Sequence, residues 1–131
     1  MTKTFVLEGE SITDISSFYD EINRVFMCDE NWVIGESLDA LNDLFYGGFG
    51  AISGRKNVKL VWRNIDVSRA HLGVEATRNY YLEKLNHPQR YKVEKIKSNL
   101  EKLRNENSGS TYFDLIIELI NGHSNIHLVP D

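Results

Sequence analysis

The sequence predicts an α/β protein in which a three-stranded parallel sheet packs against helices. Three short apolar runs, Thr4–Leu7, Val58–Trp62 and Ile126–Val129, have the length and composition of buried strands. Amphipathic helical patterns separate these runs, so each connection is long enough to bring the next strand in parallel. A chain of 131 residues suffices for one hydrophobic core, and we expect residues 1–131 to form a single domain.

Helix signals define the first half of the chain. A helix is predicted from Asp14, a suitable N-cap, because apolar residues then recur at spacings of three and four. A loop, Cys28–Gly35, leads to a second helix with Ser37 as its N-cap. Gly47 and Gly48 are predicted to end that helix.

The second half is mostly helical between its two strands. Pro88 is expected to interrupt the pattern, and the segment after it is an amphipathic helix rich in lysine. A polar linker precedes the last helix, which Asn121 and Gly122 end. The predicted segments are, in order, helices over Asp66–Leu72, Val74–Leu85 and Tyr91–Arg104, the linker Asn105–Ser110, and a helix from Tyr112.

The net charge of −4 is distributed unevenly along the chain. Residues 1–43 contain ten acidic and two basic side chains, a local charge of −8 that leaves +4 on the remainder. A negative surface repels nucleic acid and attracts a basic partner, because summed surface charge steers encounters. Acidic clusters are also common on solvated surfaces that bind nothing, so charge alone does not establish a partner.

The residue types that usually perform catalysis or hold a metal are poorly placed. Cys28 is the sole cysteine and stands beside Asp29 and Glu30, whose charges oppose formation of the thiolate. The four histidines offer only one spacing typical of metal ligands. The glycine-rich run at residues 47–54 lacks the lysine and hydroxyl residue of a phosphate-binding loop. We therefore predict no cofactor, no metal and no enzymatic activity.

Cellular location is predicted from the same composition. No apolar run approaches the roughly 20 residues that span a bilayer, and the amino terminus lacks the apolar stretch of a secretory signal. A single cysteine cannot form an internal disulfide, which suits a reducing compartment. We expect a cytoplasmic protein without a membrane partner, although a secreted protein without disulfides stays open.

The predicted second helix carries an acidic stripe. If Leu38, Leu41 and Phe45 face the core, the opposite face carries four polar side chains at spacings of three and four. These are Asp39, Asn42, Asp43 and Tyr46. The simplest interpretation is a solvated surface helix, with its first-turn aspartate favoured by the helix dipole.

This helix and the loop before it resemble one protein family. The segment from Gly35 to Leu44, GESLDALNDL, followed by Gly47, is similar to the G-E-N-L-D-A-L-x-D core of the barstar family of bacterial ribonuclease inhibitors. The family's opening strand, first helix, L-V-x-W-type second strand, closing helix and closing strand are matched in order. The resemblance implies a barstar-like fold for most of the chain, with an extra helical insertion at about residues 85–107.

The resemblance implies an inhibitor that places acidic side chains in the active site of a basic ribonuclease, of the extracellular or toxin type, as mimics of RNA phosphates. Asp39 and Asp43 match the family's two helix aspartates, and Asp43 matches the dominant one. Gly35 matches a loop glycine that permits close approach, Gly47 matches the glycine that ends the helix, and Glu118 aligns with a third acid. No direct contact with nucleic acid is expected, and the free inhibitor is expected to be a monomer.

The sequence also departs from the family pattern. Val33 stands where the family has a contacting tyrosine, and Asn42 and Gly48 replace two tryptophans. The cognate nuclease is therefore not expected to be barnase itself. Val33, Asn42 and Tyr46 complete the predicted partner-binding residues.

The basic insertion admits several interpretations. The plainest is a helix that buries its apolar side, with its lysines in solvent. It could instead form a dimer surface, or add a contact with the partner or with RNA. The side chains predicted to be buried are Val93, Ile96, Leu100 and Leu103.

Two other functions remain compatible with the residues. The fold could inhibit a toxin of different chemistry whose site is still basic. Alternatively, Asp39 and Asp43, with Tyr46 or His71, could act on a small substrate as an enzyme. An enzyme requires a concave pocket with perturbed pKa values, whereas an inhibitor requires a protruding acidic surface.

Overall fold

Three parallel strands form one sheet in the computed structural model, which describes residues 2–106 and 110–131. The central strand β2 (Val58–Arg63) lies between β1 (Lys3–Glu8) and β3 (Ile126–Pro130). Alternate residues of β2 are buried, as expected for a strand with helices on one face. The predicted fold class, a three-stranded parallel sheet packed against helices, is confirmed.

Helices connect the strands at each of the predicted positions. Asp14 caps the first helix through a reciprocal pair of hydrogen bonds with Ser17, so the predicted N-cap is confirmed. In chain order the helices are α1 (Ile15–Phe26), α2 (Leu38–Tyr46), α3 (Ile65–His71), α4 (Val74–Leu85), α5 (Val93–Glu101) and α6 (Tyr112–Asn121).

The structure extends helical geometry beyond the prediction at two places. The turn after β1 is one turn of 3₁₀ helix, Gly9–Ser11. After α5 the chain continues as a π-helical turn, Lys102–Glu106, in which Leu103 is buried in a cluster with Tyr81 and Ile96. The predicted linker therefore begins later than residue 105, and its residues 107–109 lie outside the described residues.

The main core lies between the sheet and α1, α2 and α6. Trp62 of β2 is fully buried, stacks on Phe18 at 5.8 Å between ring centroids, and donates its indole N–H to Ser68 Oγ at 2.9 Å. Across the core, the hydroxyl groups of Tyr19 and Tyr112 are 2.5 Å apart. These satisfied polar contacts fix how α1, α3 and α6 pack around the sheet.

The predicted insertion has a small hydrophobic cluster of its own. Tyr81, Ile96 and Leu103 are buried there, and Tyr80 packs against both this cluster and the main core. Leu100 and Val93 are only partly buried, so the prediction that four apolar side chains are buried holds fully for two of them. In the described part of the chain, no helix is long and apolar enough to cross a bilayer.

Candidate partner-binding surface

Local signals at both ends explain why α2 forms. The hydroxyl group of Ser37 accepts the N–H of Ala40 at 3.0 Å, which satisfies one of the free donors of the first turn. Asp39 adds a negative charge where the helix dipole favours it. The helix ends at Gly47, whose left-handed φ of 85° turns the chain away.

The two glycines of the predicted surface have different structural surroundings. A Cβ atom on Gly47 would lie 2.1 Å from the carbonyl oxygen of Gly54, so this fold requires glycine there whether or not a partner binds. A Cβ atom on Gly35 would meet no atom within 4 Å. Packing inside the protein therefore does not explain the glycine at position 35.

One face of α2 is firmly held by the core. Leu41, Leu44 and Phe45 are each 1% exposed or less. Leu38, which was predicted to face inward, is only half-buried because it lies at the first turn between two surface cavities. The burial of three adjacent side chains fixes the rotation of the helix about its axis.

The opposite face exposes the acidic side chains. Asp39, Asp43 and Tyr46 are exposed at helical spacing, the tyrosine by 54%. Within residues 2–106 and 110–131, neither Asp39 nor Asp43 forms an ion pair or a side-chain hydrogen bond. We call these three residues the acidic face. Its carboxylates are held on a rigid helix and remain available to external cations.

Asn42 differs from its neighbours on the predicted stripe because it is half-buried. The Nε2–H group of His123 donates a hydrogen bond of 2.7 Å to Asn42 Oδ1. The ring of Tyr46 packs edge-on against the same imidazole, at 4.7 Å between centroids. The side chains of α2 are thus braced by the turn that follows α6.

His123 is a site residue that sequence reasoning missed. Its sequence position, directly after the glycine that ends α6, indicated only a surface or partly buried histidine. The structure leaves it 5% exposed. Burial, together with the positive charge of Arg55, lowers the pKa of the imidazole. The folded protein therefore favours a neutral ring behind the acidic face.

Glu118 lies beside this cluster. A groove between α2 and α6, with a volume of about 410 Å³, is lined by Glu118 together with Asn42 and Tyr46. We call it the α2–α6 groove. Glu118 is exposed, so the structure brings the third predicted acid to the surface that carries two other predicted site residues.

The loop before α2 exposes apolar side chains. Val33 is 67% exposed, as its predicted role requires, and Trp32 is 45% exposed while its ring rests on Phe49 at 4.9 Å. Ile34 anchors the loop, since it is buried and donates its N–H to Asn23 Oδ1 at 2.9 Å. Trp32 was not among the predicted site residues, although a tryptophan in a polar loop beside them was a usable signal.

Metal ligation has no geometric support in the part of the chain that the structure describes. No three of its His, Cys, Asp and Glu side chains cluster as a metal site would require. The nearest loop acid to α2, Glu36, already accepts a hydrogen bond of 2.8 Å from Ser16 Oγ of α1.

The described chain is thus a small α/β protein with an exposed acidic helix, whose side chains are braced from behind by the turn after α6. The chain is a member of the barstar family: the family model for Barstar (barnase inhibitor) matches residues 2–109. This is a family of inhibitors that bind ribonucleases. A search of curated proteins finds no match.

The family match covers only part of the candidate surface. It covers the loop, α2 and the predicted insertion, and it ends before α6 and β3. Val33, Gly35, Asp39 and Asp43 therefore lie in the matched region. The placement of Glu118 beside α2 depends on the structure instead.

Proposed function

We propose that this chain is an immunity-type inhibitor of a bacterial ribonuclease toxin. It places the loop before α2 and the acidic face in the active site of the nuclease and so excludes RNA. The observation that carries this proposal is the acidic face itself. Two exposed carboxylates stand on a helix whose opposite side is locked in the core.

Electrostatics supports a ribonuclease as the partner. An enzyme that cleaves RNA holds phosphates with arginine, lysine and histidine side chains, and carboxylates form strong charge-assisted hydrogen bonds with the same groups. The aspartates of α2 need little further ordering on binding, because the helix is already fixed by buried side chains. A prearranged surface of this kind loses less conformational entropy when the complex forms.

Exposed apolar groups lie on the acidic face and on the loop before it. Trp32 and Val33 on the loop and Tyr46 on α2 are exposed, and aromatic side chains are enriched at the centres of protein interfaces. In the proposed complex these side chains pack around the active-site mouth and keep water from the charged contacts. Cys28 is an exposed free thiol, which supports action in the reducing cytoplasm where such a toxin would do harm.

The proposal is tested with the ribonuclease encoded next to this gene, or with purified barnase-type ribonucleases if the neighbour is unrelated. Adding the inhibitor to the nuclease should abolish cleavage of a fluorogenic RNA at one inhibitor per enzyme. The inhibitor alone should leave RNA and common ester and phosphate substrates intact. Full nuclease activity in the presence of excess inhibitor, for every enzyme tried, would contradict the proposal.

A further inference from the structure

A small cavity between α4, α5 and the first turn of α2 has a chemistry opposite to that of the acidic face. Its volume is about 330 Å³, at the small end of the range for ligand sites. Three tyrosines line it, Tyr80, Tyr81 and Tyr91, and it also touches Leu38 of α2 and Leu115 of α6. We call it the basic cavity.

Four cationic side chains surround the basic cavity. Lys84 comes from α4, Arg90 from the loop after it, and Lys92 and Lys95 from the start of α5. Within the described residues, no acidic side chain lines the cavity and none of the four cations forms an ion pair. Four such cations in a chain of net charge −4 concentrate positive potential at one place.

The charge of Lys84 is stabilised by aromatic rings. Its ammonium group lies over two aromatic rings, 4.4 Å from the centroid of Tyr80 and 4.9 Å from that of Tyr91. Cation–π contacts stabilise an ammonium group less well than a bound anion does. An anion in the cavity would therefore attract Lys84 and leave two aromatic faces available to a planar group.

The first turn of α5 contributes to the same environment. Lys92 is its N-cap residue and makes no side-chain capping hydrogen bond, so backbone N–H groups of this turn keep their hydrogen-bonding capacity. Lys92 and Lys95 of this turn both line the cavity. The positive end of the helix dipole adds to the four side-chain charges, and Glu94, the acid of this turn, is exposed and does not line the cavity.

We propose that the basic cavity binds a nucleotide, with its phosphate held by the four cations and its base stacked on the tyrosines. The nucleotide is either a free mononucleotide or the end of a single RNA strand, which present the same chemistry. A basic ribonuclease would be repelled by this cavity, which argues against a second contact with the toxin. The inference is independent of the proposed inhibitory function. It favours the RNA contact that the sequence left open for the basic insertion over the expectation of no direct contact with nucleic acid.

The test is a ¹H–¹⁵N NMR titration of the full chain with adenosine 5′-monophosphate at low salt. Saturable shifts are expected at the amide groups of residues 84–95. Adenosine and inorganic phosphate should each bind roughly tenfold more weakly, since adenosine lacks the phosphate and inorganic phosphate lacks the base. If a short single-stranded RNA binds more tightly than the mononucleotide, the ligand is the end of an RNA strand. If the two affinities are equal, the ligand is the free mononucleotide.

Charge variants complete the test. The double variant Lys84→Gln, Lys95→Gln should weaken binding of the mononucleotide by at least about tenfold. Lys97→Gln is the matched control, because Lys97 is exposed on α5 but does not line the cavity; it should change affinity less than about twofold. Thermal unfolding shows whether both variants fold as the parent does. Equal affinity of the double variant and the parent, or no saturable binding at millimolar mononucleotide, would overturn the inference.

Discussion

The two glycines that flank α2 should respond differently to a single added methyl group. Gly47→Ala forces a left-handed φ on a residue with a side chain and drives its Cβ atom into Gly54, so we expect a loss of about 1–3 kcal/mol in the free energy of unfolding. Gly35→Ala meets open space and should change that free energy by less than about 0.5 kcal/mol. Urea unfolding of both variants measures the difference. Equal destabilisation would show that position 35 is constrained by the fold.

Glu21 makes stability depend on pH. Burial opposes its ionisation, but two hydrogen bonds of 2.7 Å from Arg24 and one of 2.6 Å from the N–H of Glu8 outweigh it and lower the pKa of the carboxyl group. This stabilisation is complete above the ordinary pKa of 4.5 and is lost as pH falls through the lower pKa of the folded protein.

The variant Glu21→Gln tests this dependence. At about pH 7 its free energy of unfolding should be about 1–3 kcal/mol lower than that of the parent, because the charge-assisted hydrogen bonds are lost. The difference should shrink at about pH 3, where the unfolded carboxyl group is protonated. Urea unfolding at both pH values measures it, with the exposed Asp20→Asn on the same helix as control. A difference that does not change with pH would contradict the role given to the ionised carboxylate.

At the scale of elements, the side chains of His123 and Asn42 should be energetically coupled, because their hydrogen bond joins the turn after α6 to α2. A double-mutant cycle of Asn42→Ala and His123→Ala, followed by urea unfolding, should give a coupling of roughly 0.5–1.5 kcal/mol. The cycle of Asp43→Ala with His123→Ala is the control. Asp43 lies on the same helix and is exposed, so its coupling should be near zero. Equal coupling in both cycles would mean that the hydrogen bond does not brace α2.

The elements themselves were predictable from sequence, whereas the contacts between them were not. Hydrophobic periodicity and caps such as Asp14 and Ser37 are local signals, and they located the strands and helices to within a few residues. The bracing of Asn42 by His123 joins residues 81 positions apart and depends on how α2 packs beside α6. Likewise the basic cavity combines α4 and α5 with the edge of α2, and periodicity along one helix carries no information about such packing.

At the scale of the whole molecule, the uneven distribution of charge should govern how fast the complex forms. The first 43 residues carry a charge of −8, and both carboxylates of the acidic face lie within them. The association rate with a basic ribonuclease should therefore fall steeply as salt rises, because screening shortens the range of attraction. The dissociation rate should change much less. Stopped-flow association rates that stay constant from low to physiological salt would contradict a charge-steered encounter.

The central claim is that the acidic face enters the nuclease, and the affinity of Asp43→Ala for the cognate ribonuclease tests it most directly. The resemblance to the barstar family implies that Asp43 matches the aspartate that dominates binding there. Removal of one partner from a buried charge pair generally costs about 2–5 kcal/mol, at least roughly thirtyfold in affinity. Folding should be unaffected, because Asp43 is exposed and alanine favours a helix.

Asp20→Ala is the matched control, since Asp20 is an exposed aspartate on α1 outside the candidate surface. Its effect on the dissociation constant should stay well below about tenfold. The account predicts that calorimetry or inhibition titration will show a large loss of affinity for Asp43→Ala alone. Equal affinities of the two variants for the cognate ribonuclease would contradict it.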